Sequence, residues 1–425
     1  MSTEWYGKNI DIFIMHILIV TQYFWPENFR INDLTAELVN RGHKVTILTG
    51  QPNYPEGYIY TDYLKKKSNY SYYKGAKVIR VPIITRGKSK IKLLLNYISF
   101  ALSASTIGIY RLKNINVDSI FVFEPSPITV GFPAILLRKI KNAPVVFWVL
   151  DLWPDSLKAI GVINSTALLK LIGFFVSYIY NRCDLILGQS KSFLLQINKY
   201  SNHNRIEYFP SWAEPIFETS KNNFLNINKN YHKFNILFAG NIGHAQNFPA
   251  ILDAVDLLKD HPDIHWTIVG GGRQYKWLKN AIKTRNLNSF ISLEGTHPIE
   301  KMPEFFKDAD ALLVSLKDDP IFSMTIPGKM QAYLTSGKPI LAMLNGEGAR
   351  IITESKSGIV CQAGDSFLLA AAAKKLSKLS SQELNDMGQR GVKLSKSEFD
   401  RTKLINSLES KLMKLNNNEE YSKLR

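Results

Sequence analysis

The sequence predicts an α/β protein built as two domains in tandem, and three observations carry that prediction. At 425 residues the chain exceeds what a single hydrophobic core usually serves. Apolar runs of strand length alternate with helix-length amphipathic stretches throughout, the pattern of parallel sheets covered by helices. The alternation breaks once, in the polar Asn- and Lys-rich stretch from Ser220 to His232, and then resumes.

The elements follow in order. Ile10 to Val20 is apolar, but Asp11 and His16 interrupt it and no small-residue cleavage site follows. It therefore reads as a buried first strand rather than a signal peptide. The segment before Met15 does not continue the pattern and reads either as a frayed arm or as an upstream-start artefact, with Met15 then the start. HILIVT leads into the helix FRINDLTAELVNRG, which ends on Gly42 as a left-handed cap requires. KVTILT, SIFVFE, VVFWVLD, LILGQS and RIEYF complete the first series. Their nearly continuous β-branched and aromatic character suits strands buried on both faces. After the break, NILFAG, IHWTIVGGG, ISLEG, ALLVSL, KPILAML and GIVCQ form the second series, and a closing helix covers 397–414. The division expected is 15–219, 220–396 and that terminal helix.

Charge narrows the partners. Formal net charge is +17, and up to Pro210 there are 25 basic against 13 acidic residues. An anionic partner for the first half follows, either nucleic acid or a membrane bearing phosphate lipids. No Arg/Lys stripe with interleaved aromatics marks a nucleic-acid motif, so no nucleic-acid partner is expected. Arg86, Lys88, Lys90 and Lys92 precede Leu93–Tyr110, the most hydrophobic helix-length stretch. Its eighteen residues are at the lower limit of a span, which leaves a core helix or a peripheral membrane contact. Cys183 and Cys361 stand far apart without ligand spacing, which fits a reducing cytoplasm and no structural metal.

In α/β domains ligands bind beyond the carboxyl ends of the strands. Three loops at such positions stand out. The first, Thr21 to Asn28, holds Tyr23, Trp25, Pro26 and Glu27, an aromatic and polar set suited to a saccharide or lipid, with ordinary core aromatics as the alternative. Asp151 opens the second, Asp151-Leu152-Trp153-Pro154-Asp155-Ser156, at the tip of a very apolar strand. Asp155 or Ser156 could instead cap the helix beyond Pro154; function is favoured for Asp151. The third, Gly240, Asn241, Ile242, Gly243, His244, Ala245, Gln246 and Asn247, joins strand to helix through glycines that let backbone N–H groups approach a phosphate. Gly270-Gly271-Gly272 ends the next strand.

Together with the run from Ile326 through Pro327 and Lys329 to Ile340, these loops are similar to those of one family. From about Met15 to Lys414 the chain resembles the retaining glycosyltransferases with two facing Rossmann-like domains, the GT-B fold of glycosyltransferase family 4. The patterns QYFWPE, DLWPDS, AQN and PxKxQxYLxxGKPI resemble a subgroup tied to bacterial O-antigen and capsule assembly, including proposed N-acetyl-L-fucosamine transferases. The resemblance implies a nucleotide-sugar donor in the second domain, held by Gly240, Asn241, Gly243, Gln246, Asn247, Gly271, Pro327 and Lys329. It implies a lipid-diphosphate-linked saccharide acceptor in the first domain, at Tyr23, Trp25, Pro26 and Glu27, with Asp151 orienting its hydroxyl. The terminal helix would cross back onto the first domain. Transfer would proceed with retention and with neither metal nor cofactor, on the cytoplasmic face of a membrane to which the protein binds peripherally.

The sequence departs from the wider family in informative places. The usual basic pair for the donor diphosphate would fall on Asn241 and Gln246, and the usual glutamate pair on Met324 and Ala332. Lys329 stands where proline is common and can supply the missing cation. The acceptor-side histidine is replaced within Glu124-Pro125-Ser126-Pro127. These losses leave two other functions open: an inactive sugar-binding partner subunit, or a nucleotide-sugar 2-epimerase, which would need carboxylates beyond Asp151 and Glu124 to move a proton.

Overall fold

The computed structural model describes residues 14–87, 89–159, 161–202, 205–219 and 233–417. The segment before residue 14 and the break at 220–232 lie outside them, as does Lys88. Two compact units emerge: the described residues of Met1–Asp151, Val176–Leu187 and Asn406–Arg425 form one, and those of Leu152–Phe175 and Gly188–Ile405 the other.

The first sheet has eight strands: β1 (His16–Val20), β2 (Lys44–Gly50), β3 (Tyr72–Tyr73), β4 (Ala76–Val81), β5 (Ser119–Glu124), β6 (Val145–Val149), β7 (Leu185–Gly188) and β8 (Ile206–Tyr208). Their order is β3-β4-β2-β1-β5-β6-β7-β8. β1 pairs in parallel with both β2 and β5, setting Val20 beside Leu48 and Val122. The loops after these three strands thus leave one edge of the sheet. Strand order reverses between β1 and β5, the topological switch point where a crevice opens.

Every residue of β5 and β6 is buried, in keeping with their unbroken apolar runs, and Trp148 packs edge to tilt on Phe121 and Phe123. β3 and β4 were not expected. Lys77 and Arg80 interrupt the apolar character of β4; the legible signal was Lys74-Gly75, both at positive φ, a hairpin turn that pairs β3 with β4 antiparallel.

The second sheet contains β9 (Phe234–Ala239), β10 (Ile264–Val269), β11 (Ile291–Gly295), β12 (Ala311–Ser315), β13 (Ile340–Met343) and β14 (Gly358–Cys361). All six strands expected from sequence are present, in the order β11-β10-β9-β12-β13-β14, and each pairing is parallel. Counted from β9 this is the doubly wound dinucleotide-fold order, with its switch point between β9 and β12. Apolar cores line both faces, one containing Phe238, Trp266 and Leu341, the other Leu237, Tyr333 and Leu312.

The closing helix differs from its expected span. One helix runs Ser381–Glu398 and a second Arg401–Asn417. Asp400 restarts the backbone by accepting from the Lys403 N–H at 2.8 Å, as an N-cap does. Within the first unit, Glu409 of this last helix bonds the buried His43 at 2.6 Å and Arg41 at 2.8 Å, and the Asn416 amide donates to Ser119.

Candidate functional site

In the second unit the glycine turns after β9 and β10 interlock. Gly240 donates to Val269 O at 2.9 Å, Ile242 to Gly271 O at 2.7 Å, and Gly270 to Gly295 O at 2.7 Å. Gly270 has a φ of +138°, and a Cβ there would stand 1.9 Å from Gly240 O. Only glycine fits such a conformation and approach. Gly272 is held alike, its virtual Cβ 2.4 Å from Ile242 O. Among the described residues, the N–H groups of Asn241, Gly271 and Gly272 are left without a protein acceptor. The Asn241 amide lies between Gly243 and Gly272.

Lys329 completes this cluster. It precedes the helix Met330–Ser336, and the Pro327 carbonyl fixes that turn by accepting from Met330 N at 2.8 Å. Tyr333, four residues on, both accepts from Ala239 N and donates to Ala239 O, tying the helix to the tip of β9. Lys329 is only partly buried as a residue, but its Nζ is shut off from water and has no hydrogen-bond partner among the described residues. It sits 3.4 Å from the centre of the Phe238 ring and 3.0 Å from where a Cβ of Gly240 would be. Burial pushes its pKa down to about 7. An unpaired buried ammonium is costly, and a cation–π contact offsets only part of that cost. An anion seated among the glycine turns would supply what is missing.

The other residues expected here play different parts. Gln246 accepts from Gly243 N at 3.1 Å and closes the short turn His244–Gln246. Asn247 takes a left-handed backbone, φ +52°, before the helix Phe248–Asp256. Sequence reasoning missed Phe238 and Tyr333, which position the lysine and the strand tip. Tyr333 lay within the quoted motif, on the face that its helix turns to β9.

In the first unit the loop after β1 is an internal scaffold more than an open surface. Glu27 is 2% exposed, and its carboxylate accepts from Asn53 N, Tyr54 N and Phe24 N at 2.7, 2.7 and 3.1 Å. Burial outweighs these bonds and raises its pKa to about 7. The expectation that Glu27 touches an acceptor is therefore revised: it staples the β1 loop to the β2 loop. Tyr23 is also buried, stacked on Phe29 with ring centres 5.4 Å apart. Trp25 packs on Tyr70 and Tyr73, and its carbonyl accepts from Arg80. Pro26 follows in the same turn, partly exposed.

Arg86 was expected to belong to a basic cluster facing a membrane surface. It instead turns inward, its guanidinium 5.0 Å from the Tyr54 ring centre and bonded to the Tyr23 hydroxyl at 3.4 Å.

Glu124 and Asp151 meet at the tips of β5 and β6. Glu124 is wholly buried; its Oε2 accepts from Asp151 N at 3.4 Å, and its Oε1 has no partner among the described residues. Desolvation first, and the Asp151 charge second, push its pKa well above the ordinary range. It lies beside the partly exposed Asp151. A charged residue closing the apolar run SIFVFE at the switch point was the signal for it. Asp155, the alternative acid of that loop, bonds Gln196.

The long apolar helix runs Lys90–Leu112 and by length and composition could cross a membrane. Leu93, Asn96, Tyr97 and Phe100 are buried on one side, however, and Gly108 sits against Leu48 of β2. Ile91, Leu94, Leu95, Ile98 and Leu102 are exposed on the other side.

Comparison with known proteins bears on both units. Residues 220–394 match the family model described as glycosyl transferases group 1. A Pseudomonas aeruginosa protein named as a glycosyltransferase, WbjE, is 25% identical over 65% of this chain and 70% of its own length. WcaI of Escherichia coli K12, named as a colanic acid biosynthesis glycosyl transferase, is 26% identical over 76% of this chain and 82% of its own. Anabaena HepE, solved with UDP and glucose, superposes with a TM-score of 0.66 at 13% identity, over 94% of this chain and 99% of that one. The fold is therefore the GT-B fold, and the match to the glycosyl transferases group 1 model falls on the part of the chain that holds the second sheet.

Proposed function

We propose that this chain transfers a sugar from a nucleotide-diphosphate donor, bound in the second unit, to a lipid-diphosphate-linked saccharide at the first, in assembly of a bacterial surface polysaccharide of the O-antigen, capsule or colanic acid kind. The observation that carries the reading is Lys329 Nζ, buried and without a hydrogen-bond partner beside the glycine turns of β9 and β10. A donor diphosphate there would meet one cation and the N–H groups of Asn241, Gly271 and Gly272. The role lost with the family's basic pair thus passes to Lys329.

Charge on the departing diphosphate is what this site is built to stabilise. Transfer with retention, in which that diphosphate helps take the acceptor's proton, needs no second carboxylate at glycosidase spacing and no cofactor or metal. The sugar is N-acetyl-L-fucosamine or a related amino or deoxy sugar, a reading supported by the motif resemblance. Asp151 orients the acceptor hydroxyl.

The lipid-linked acceptor places the protein in the cytoplasm, on the inner leaflet of the membrane. The exposed apolar row from Ile91 to Leu102, with Lys90 and Lys92 at its start, supports peripheral docking.

A panel of nucleotide sugars read by saturation-transfer NMR tests the donor site. Binding of at least one, weakened about ten- to hundredfold in Lys329→Ala, is the expected result; unchanged affinity in the variant would remove Lys329 from the site.

A further inference from the structure

Resting on the reading of a lipid-linked acceptor, we infer that Arg86 binds a phosphate group of that acceptor. The arginines of the described residues are mostly committed. Arg41, Arg138, Arg285 and Arg350 each pair with carboxylates, while the buried Arg80 spends its fork on the carbonyls of Gly50 and Trp25. Arg86 has no carboxylate within 4.0 Å among the described residues, and its guanidinium makes a single protein hydrogen bond, a long one, to the Tyr23 hydroxyl. Of the five guanidinium N–H donors, most remain free for a ligand.

The group is nevertheless fixed in place. Its ring contact with Tyr54 and the bond from Arg86 N to Asn53 Oδ1 at 3.0 Å anchor it. Asn53 in turn takes part in the network of Asn96 and Gln22 at the carboxyl edge of the sheet. A planar fork held on an aromatic face, with donors unspent, is suited to bidentate recognition of phosphate.

Two neighbours favour a lipid phosphate. Lys92 folds its alkyl chain over Gly87, so close that a Cβ there would lie 2.5 Å from Lys92 Cδ. Lys92, a second basic residue, thereby packs against the glycine that follows Arg86. The helix that starts at Lys90 carries Ile91, 74% exposed, and Leu102, 64% exposed, on one side with Leu94, Leu95 and Ile98 between them. A phosphate joined to hydrocarbon satisfies both the cations and this apolar row, whereas free phosphate satisfies only the cations.

The test uses the full chain with saturating UDP, so that the second unit's anion site is filled. Farnesyl diphosphate is titrated, with farnesol and inorganic pyrophosphate as separate arms, into wild type, Arg86→Gln and Arg86→Lys. The inference expects farnesyl diphosphate to bind more tightly than either other arm, with a loss of about tenfold or more in Arg86→Gln and a smaller loss in Arg86→Lys. Farnesol and UDP affinities stay as in wild type. Unchanged farnesyl diphosphate binding in Arg86→Gln overturns it. So does an equal loss of farnesol binding, which would mean that Arg86 only props the tyrosines, and so does pyrophosphate binding as tightly as the lipid. UDP titration of the same proteins before UDP is added reads the donor site separately: its failure would count against the transferase reading, not against Arg86.

Discussion

A diphosphate that binds beside Lys329 must bring a proton with it. In the free protein the ammonium, pushed down to about 7 by burial, is about nine-tenths charged at pH 6 and about one-tenth charged at pH 8. Next to a diphosphate it returns toward the ordinary lysine value of about 10.4. Above pH 7 the complex therefore holds more protons than the free protein, and affinity falls as pH rises. The loss works out at about tenfold from pH 6 to pH 8 and about tenfold again by pH 9. Lys329→Met binds about ten- to hundredfold more weakly at pH 6 and has lost the slope. The assay is isothermal titration calorimetry with UDP in paired buffers of different ionisation heat. Wild type takes up close to one proton at pH 8 and about a tenth of one at pH 6. UDP's own terminal phosphate titrates near about pH 6, but it does so equally with the variant and subtracts out. Identical pH slopes in the two proteins would refute the placement of Lys329 at the diphosphate.

Four other expectations follow. Gly270→Ala, with its Cβ 1.9 Å from Gly240 O, costs about 3 kcal/mol or more in urea unfolding and abolishes UDP binding. Glu27→Ala strands three backbone N–H groups and destabilises by about 2–4 kcal/mol. Because Glu27 rises to about 7 in the fold, above its unfolded value of about 4.3, its contribution is fullest below pH 4 and is lost as pH rises through 7; Glu27→Gln removes that dependence from the melting temperature. Asp151→Asn lowers acceptor-dependent turnover while UDP affinity holds, and normal turnover would return Asp151 to a structural role. Lys90→Gln/Lys92→Gln reduces co-sedimentation with anionic vesicles at low salt, each lysine being worth about 1 kcal/mol at the surface; equal recovery on neutral vesicles would show that these charges serve solubility.

The fold was largely legible because buried parallel strands announce themselves. SIFVFE and VVFWV have no polar position to confuse the pattern, and each second-sheet strand ends in a glycine or a polar turn. β4 escaped because Lys77 and Arg80 dilute the apolar signal. The glycine turns could be placed at one edge of the sheet from strand ends alone, since chain order forces those loops there, whereas Lys329 came into view only through the family resemblance. What could not be read was direction of side chains. Glu27 and Tyr23 looked like ligands because they are polar and aromatic in a loop, yet folding spends them on backbone N–H groups and ring stacking. Arg86 looked like surface charge because lysines surround it in sequence, and only the rings of Tyr54 and Tyr23 turn it inward. Phe238 beneath Lys329 is separated from it by 91 positions, a contact that no local pattern encodes.

The most direct test of the transfer reaction is acceptor-dependent release of nucleoside diphosphate. Wild type and Lys329→Met are incubated with a panel of nucleotide sugars and a polyprenyl-diphosphate-linked saccharide, and released diphosphate is followed over time. Release that requires the lipid-linked saccharide, with the sugar recovered on the lipid and the rate reduced at least about tenfold in Lys329→Met, is the predicted result. Tight nucleotide-sugar binding without release from any acceptor would contradict it and identify the chain as a sugar-binding subunit, while solvent-hydrogen exchange into the donor sugar without transfer would identify an epimerase.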